Sequence, residues 1–219
     1  RIIEGYHPFI LPFAIAIAFV LVILSIGLVK IFISLPARDK KKLFKLLRPD
    51  IFFRTIKDII FDSLLHIKIF KRNKVLGYMH SSIAFGWFML ILIGHIEVMI
   101  YTPQRTGILY YPVFFRFFVM ETQETLRGAF FFFLMDFFLL IVLSGIVLAI
   151  IKRFHSRILG MRRTTRLSLA DTVALYSLWL IFPLRLVAES FTANISGGSF
   201  LTTSINHLLK AFVSKPENV

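Results

Sequence analysis

Residues 76–97 rule out most folds: they are about twenty mostly apolar positions interrupted by two histidines, His80 and His95. A run of ~20 apolar residues is long enough to cross the hydrocarbon core of a bilayer as a helix. Ionisable side chains inside such a run are costly and rare, so each one is a functional candidate. The two histidines are 15 positions apart. At 1.5 Å per residue that is ~22 Å along the axis, and 15 steps of ~100° leave only ~60° between them around it. One side of one membrane helix therefore carries an imidazole near each surface. That layout suits two stacked haems, each taking an axial ligand from this helix, with His80 and His95 on the iron. The plainer alternative for either residue alone is a polar side chain bonded to a neighbouring helix.

The composition agrees with a membrane setting. Hydrophobic residues make up 57% of the chain and charged residues 17%, whereas a soluble domain is nearer half apolar and a quarter charged. The reading is an all-α integral membrane helical bundle, residues 1–219 forming one domain. There is no cysteine. Disulfides, iron–sulfur ligands and thioether-linked haem are therefore excluded from this chain, and a haem here is held by histidine.

The net charge of +14 raises the question of nucleic acid, and its distribution argues against it. Residues 34–75 hold twelve Lys/Arg against four Asp, and residues 152–169 hold six Lys/Arg and no acid. Two loops carrying the excess on the same side of a four-span topology is the positive-inside pattern, with the basic loops facing anionic lipid. Starting at Arg1 rather than Met, the chain reads as a fragment of a longer protein. Its first apolar run is too long, and its start too polar, for a cleaved signal peptide.

Four membrane helices are expected, at about 8–33, 76–101, 128–151 and 171–191. Pro8 and Pro12 fall in the first turns of the first, where a missing N–H costs little. His7 sits at its mouth and reads as solvated or polar-bonded. Residues 51–70 read as a cytoplasmic amphipathic helix, able to lie in the membrane surface or to dock a partner. His66 falls on it and reads as structural or partner-facing. Gly77, Gly86 and Gly94 remove side-chain bulk from the second span, admitting another helix or a flat macrocycle. The 102–127 connection is aromatic and interfacial. His155, in a basic run, reads as a solvated loop residue. Residues 193–219 are too short and polar for a fifth span.

Further ionisable residues cluster at one depth. Glu97, Asp136, Arg185 and Glu189 all fall in the outer half of the expected bundle. Unpaired, a charge at mid-membrane costs at least ~3 kcal/mol, so an Asp136–Arg185 pair is expected. Pro183 should kink the fourth helix. The set suits proton exchange at a quinone site, with a structural ion pair as the alternative.

Leu76-Gly77-Tyr78-Met79-His80, followed by Gly94-His95-Ile96-Glu97-Val98-Met99-Ile100-Tyr101-Thr102-Pro103, resembles the second helix of the gamma subunit of respiratory nitrate reductase. The broader likeness is to the cytochrome b subunit of heterodisulfide reductase. The Phe133-Leu134-Met135-Asp136-Phe137 and Ile181-Phe182-Pro183-Leu184-Arg185-Leu186-Val187-Ala188-Glu189-Ser190 segments are similar to the N-terminal membrane part of bacterial proteins that fuse such a cytochrome to a cysteine-rich iron–sulfur domain. The resemblance implies a b-type cytochrome of the bacterial inner (cytoplasmic) membrane with one or two haems b. It would exchange electrons between quinone or quinol and an iron–sulfur subunit or fused domain on the cytoplasmic side. The histidines of that helix are closer than 15 positions in the nitrate reductase subunit, and there the second axial ligands come from a fifth helix. The resemblance thus implies a further ligand-bearing span, missing here or supplied by another chain. The contrasting reading is a non-redox anchor or transport subunit with a structural or ion-conducting polar set.

The topology makes a direct expectation. With the N-terminus outside and residues 34–75 inside, a single cysteine at Lys41→Cys should be labelled in intact cells only by a membrane-permeant thiol reagent; labelling by an impermeant reagent from outside reverses the orientation.

Overall fold

A computed structural model of the protein describes residues 10–40, 48–101, 126–155 and 167–213. The elements are α1 (Ile10–Ser34), α2 (Pro49–Asp58), a π-helical turn (Ile59–Leu64), α3 (Ile67–Arg72), α4 (Lys74–Tyr101), α5 (Leu126–His155), α6 (Leu169–Ser196) and α7 (Phe200–Lys210). No strand occurs among the described residues. Four of the helices, α1, α4, α5 and α6, are long and apolar enough to cross a membrane. They match the four expected spans, each longer by a few residues at one or both ends or shifted by one or two. His7 and most of the 102–127 connection lie outside the described residues.

The chain divides into two compact units, the first ending at Phe61 and the second starting at Asp62. In the first unit, α1 exposes nearly every large apolar side chain, from Ile15 to Ile33. That is the surface a helix offers to lipid rather than to water. In the same unit, α2 begins with Pro49 at its first helical position, where proline's fixed φ and missing N–H are both tolerated. The expected continuous helix over 51–70 is instead two helices and a π-helical turn. The break falls at His66, whose φ of 51° is left-handed.

The second unit contains the core. Leu90 and Ile93 of α4, Met135, Phe138, Leu139, Val142 and Ile146 of α5, and Phe182 of α6 form one buried apolar cluster. On α5 the buried positions recur every three or four residues from Gly128 through Phe132, Met135, Leu139, Val142 and Ile146 to Ala149. This is the period of a helix burying one stripe. Trp87 meets Phe182 edge to face, with ring centroids 5.9 Å apart.

Small residues set the α4–α5 seam. A Cβ placed at Gly145 would overlap the Ser82 hydroxyl and come within 3.1 Å of the Met79 carbonyl oxygen. A Cβ at Gly86 would come within 2.6 Å of the Val142 side chain. The two antiparallel helices therefore approach through reciprocal small-residue notches, a membrane packing mode that exchanges side-chain bulk for backbone proximity. Two hydroxyls close the same seam: Tyr78 and Ser144 hydrogen-bond across it at 2.7 Å.

The far end of α6 carries the chain into a further helix. The helix continues through Pro183 as a single element to Ser196. After a turn at Gly197 and Gly198, the chain forms α7 and folds back on α6 and α5. Residues 193–213 thus add a helix, short of a span. Gly197 is required twice: its φ of 80° is left-handed, and a Cβ there would collide with the Phe132 ring.

Gly145→Leu should push α4 from α5 and lower the stability of the detergent-solubilised protein by about 1–3 kcal/mol, as overpacking does. The lipid-facing Val147→Leu on the same helix should be neutral. Equal thermal-unfolding midpoints for Gly145→Leu and the unaltered protein contradict the close seam.

Candidate functional site

The described ionisable groups inside the second unit separate to its two ends. One end, here called the basic end, carries Lys74 at the start of α4 and Lys152 and Arg153 at the end of α5. His80 lies one and a half turns into α4 from this end. The opposite end carries Glu97, Asp136, Arg185 and Glu189. All four are buried, with 1% of Glu97, 3% of Asp136, 2% of Arg185 and 7% of Glu189 exposed.

Asp136 does not bear out the expected pairing with Arg185. Its Oδ2 accepts from the backbone N–H groups of Leu201 at 2.9 Å and Thr202 at 3.0 Å. The Thr202 hydroxyl lies 3.2 Å from Oδ1 and 3.0 Å from Oδ2. The first N–H groups of a helix have no partner within the helix and carry partial positive charge. A buried carboxylate on α5 thus caps the N-terminus of α7. Thr202 also serves the capping box of α7, its hydroxyl accepting from the Ser199 N–H at 3.1 Å. One turn further on, the Asn206 amide donates to the Ser190 carbonyl at 2.7 Å.

Arg185 engages the Glu189 carboxylate, one turn along α6. Glu189 Oε1 lies 3.0 Å from both Nε and Nη2 of Arg185. The i,i+4 spacing puts the two side chains on one face of the helix. Glu189 is buried together with its arginine.

At the basic end the structure brings together residues that the sequence reading kept apart. α3 folds back against the first turns of α4. The corner is tight: a Cβ at Gly77 would sit 2.6 Å from the Phe70 Cα. The Asn73 side chain accepts from the Leu76 N–H at 2.9 Å and caps α4 as it starts. This fold-back carries the His66 ring onto the His80 ring. Their centroids are 5.5 Å apart and their planes 18° from parallel. Both residues are half-buried. No pattern at the level of periodicity pairs residues 66 and 80, because the contact depends on the left-handed break at His66.

The other candidates fall out differently. Gly77 and Gly86 serve chain packing, against Phe70 and Val142 respectively. Gly94 is buried on the inner stripe of α4 and His95 next to it is exposed. His155 is exposed at the end of α5.

Comparison with protein-family models, with characterised proteins and with solved structures returns no match.

If Asp136 anchors α7, Asp136→Ala should cost roughly 2–3 kcal/mol, the range for hydrogen bonds to a charged group. Hydrogen exchange at the Leu201 and Thr202 amides should accelerate selectively. Protection of those amides at the unaltered level would show that the anchor lies elsewhere.

Proposed function

We propose that the protein is a b-type cytochrome subunit or domain of a quinone-linked membrane oxidoreductase. It would pass electrons between quinone or quinol and an iron–sulfur partner on the cytoplasmic side. The observation that carries this reading is His80: a half-buried imidazole on an apolar, membrane-length helix, beside a second imidazole, at the end where basic residues gather. The family likeness supports the same reading through sequence motifs alone.

The donor chemistry fits the group. Among the described residues no set of three or more His, Asp or Glu side chains is placed to hold a bare metal ion. Haem asks less of the protein, because the porphyrin occupies the equatorial positions and only axial ligands are needed. When bound, haem supplies one-electron redox chemistry, and the protein supplies position and electrostatics. In this reading His80 would hold the haem. Lys152 on α5, within electrostatic reach of His80, provides a cation for haem's carboxylate groups. His95 would hold a second haem.

The opposite end takes the quinone role. Quinol oxidation releases two protons, and Glu97 and Glu189 are the carboxylates placed to accept them. Arg185 holds Glu189 in place. Asp136, committed to the α7 N-terminus, is structural in this assignment. In this reading the basic segments 34–75 and 152–169 would face the cytoplasmic side of a bacterial inner membrane, with the N-terminus outside.

The protein purified from membranes should show a b-type band after dithionite reduction. His80→Ala should lose that haem while keeping yield and helical content. A colourless, correctly folded preparation would refute the cytochrome reading and favour an anchor or transport subunit.

A further inference from the structure

We propose that α7 is an interfacial helix, lying in the surface of the leaflet at the end opposite the basic end, with one flank among the acyl chains and another among the phospholipid headgroups. This seating is independent of whether the protein holds haem.

Residues follow one another around the axis of a helix at ~100° intervals, and on α7 this sorts them into three sectors. Phe200, Leu201, Ile205, Leu208 and Leu209 fall within ~180° of arc. Thr202 and Asn206 come next and are the buried residues of the helix. They face Asp136 and Ser190. Beyond them lie Thr203, His207 and Lys210, the last two exposed. The helix turns polar side chains toward the protein and leaves apolar ones outside, with Leu208 65% and Phe200 43% exposed. On a helix packed against a core from the water side, burial would run the other way.

One polar residue interrupts the apolar sector, and it is satisfied within the helix. The Ser204 hydroxyl donates to the Phe200 carbonyl one turn back. A hydroxyl bonded in this way needs no water, which is the condition for placing it against hydrocarbon.

The depth of the helix follows from its anchor. The hydrocarbon core takes ~20 residues of helix. Counted back along α5 from Lys152, the first basic residue at the other end of that helix, this length reaches Phe132. Asp136 lies four residues further in, ~6 Å along the axis. Because Asp136 accepts from the Leu201 and Thr202 N–H groups, the first turn of α7 is held at that depth. Interfacial amphipathic helices bury their apolar face ~5–10 Å into the boundary between headgroups and acyl chains, which is the same level.

The apolar sector also continues the lipid-facing surface of a neighbouring span. Phe200 packs on Phe133 of α5, ring centroids 5.7 Å apart, and Phe133 stacks on Phe137 at 5.9 Å. Phe133 and Phe137 both fall inside the 132–151 stretch and both are exposed. Acyl chains that cover them reach Phe200 without a break. On the other flank Lys210 carries a positive charge and His207 a ring N–H, and lipid phosphates accept from both. A single occupant, the leaflet, supplies the apolar and the anionic surface that the two flanks require.

The chain has no cysteine, so single cysteines can carry a nitroxide label in the protein reconstituted into vesicles of phosphatidylethanolamine and phosphatidylglycerol. Power saturation compares each label's accessibility to oxygen, which concentrates among acyl chains, with its accessibility to a water-soluble nickel chelate. Leu208, Ser204 and Lys210 are exposed, so replacing them leaves the Asp136 anchor intact. Leu208→Cys and Ser204→Cys should show the high oxygen-to-nickel ratio of Val147→Cys on the lipid-facing side of α5. Lys210→Cys should show a lower ratio, shifted toward nickel. Nickel-dominated values at Leu208→Cys and Ser204→Cys overturn the proposal and place α7 in water. Low accessibility to both reagents at those positions also overturns it, because the flank is then covered by another part of this chain or by a second copy. An oxygen-dominated Lys210→Cys overturns the interfacial orientation, because the helix would then be immersed on every exposed side.

Discussion

In hydrocarbon there is no water to solvate a polar group, so every charge placed inside an apolar span must find its partner in the protein. Much of the second unit follows from that constraint. Asp136 is a carboxylate on a helix whose neighbours are Met135, Phe137 and Phe138. It is kept because α7 brings it two backbone N–H groups and a hydroxyl. α7 in turn is an eleven-residue helix with few apolar side chains to bury. Its unsatisfied first turn is stabilised by the same carboxylate. Each side of this interaction would be unfavourable alone, and together they tie the chain after α6 back to α5. Arg185 and Glu189 meet the constraint within a single turn of α6, and Asn206 meets it by donating to the Ser190 carbonyl.

The basic end solves a different problem, which is to hold polar rings near a membrane surface without a long connecting loop. The chain passes from α3 into α4 through Asn73 alone. The Asn73 side chain caps α4, and Gly77 lets Phe70 close onto it. Short connections favour antiparallel neighbours, and here the neighbour is six residues long. Its leading residue, His66, thereby comes to rest one and a half turns up α4, at His80. A bulkier residue at position 77 would separate the two elements and the two rings with them.

The spans were legible in the sequence because apolar length is a strong signal and depends on no tertiary partner. Gly86 and Gly94 were legible as small-residue positions, but not what they approach, since a notch and a cofactor cradle read alike in one sequence. The buried set Glu97, Asp136, Arg185 and Glu189 was legible as residue types. The partner expected for Arg185 was Asp136, although Glu189 stands at i,i+4 on the same helix. Asp136 went to a different partner because residues 193–213 read as a polar tail, and a helix that short has no periodicity strong enough to announce it. Its signals were local: Gly197-Gly198, then Ser199 and Thr202 at capping-box spacing. The His66–His80 contact was least legible of all. It depends on one left-handed residue, and the apolar positions over 51–70 predict helix straight through it.

The two ends of the second unit differ in how they handle charge, and the difference bears on function. At the far end, the Asp136 and Glu189 carboxylates are each matched to named donors, in a surround that leaves almost none of their surface exposed. Groups so enclosed respond to small changes in a neighbour, because a low-dielectric setting magnifies each interaction. At the basic end, the histidines are half-buried and the lysines and arginines are plentiful, so charge there is screened and exchangeable. The proposed coupling of electron movement at one surface to proton release at the other would draw on both arrangements: accessible cations at the basic end and enclosed acids at the opposite one.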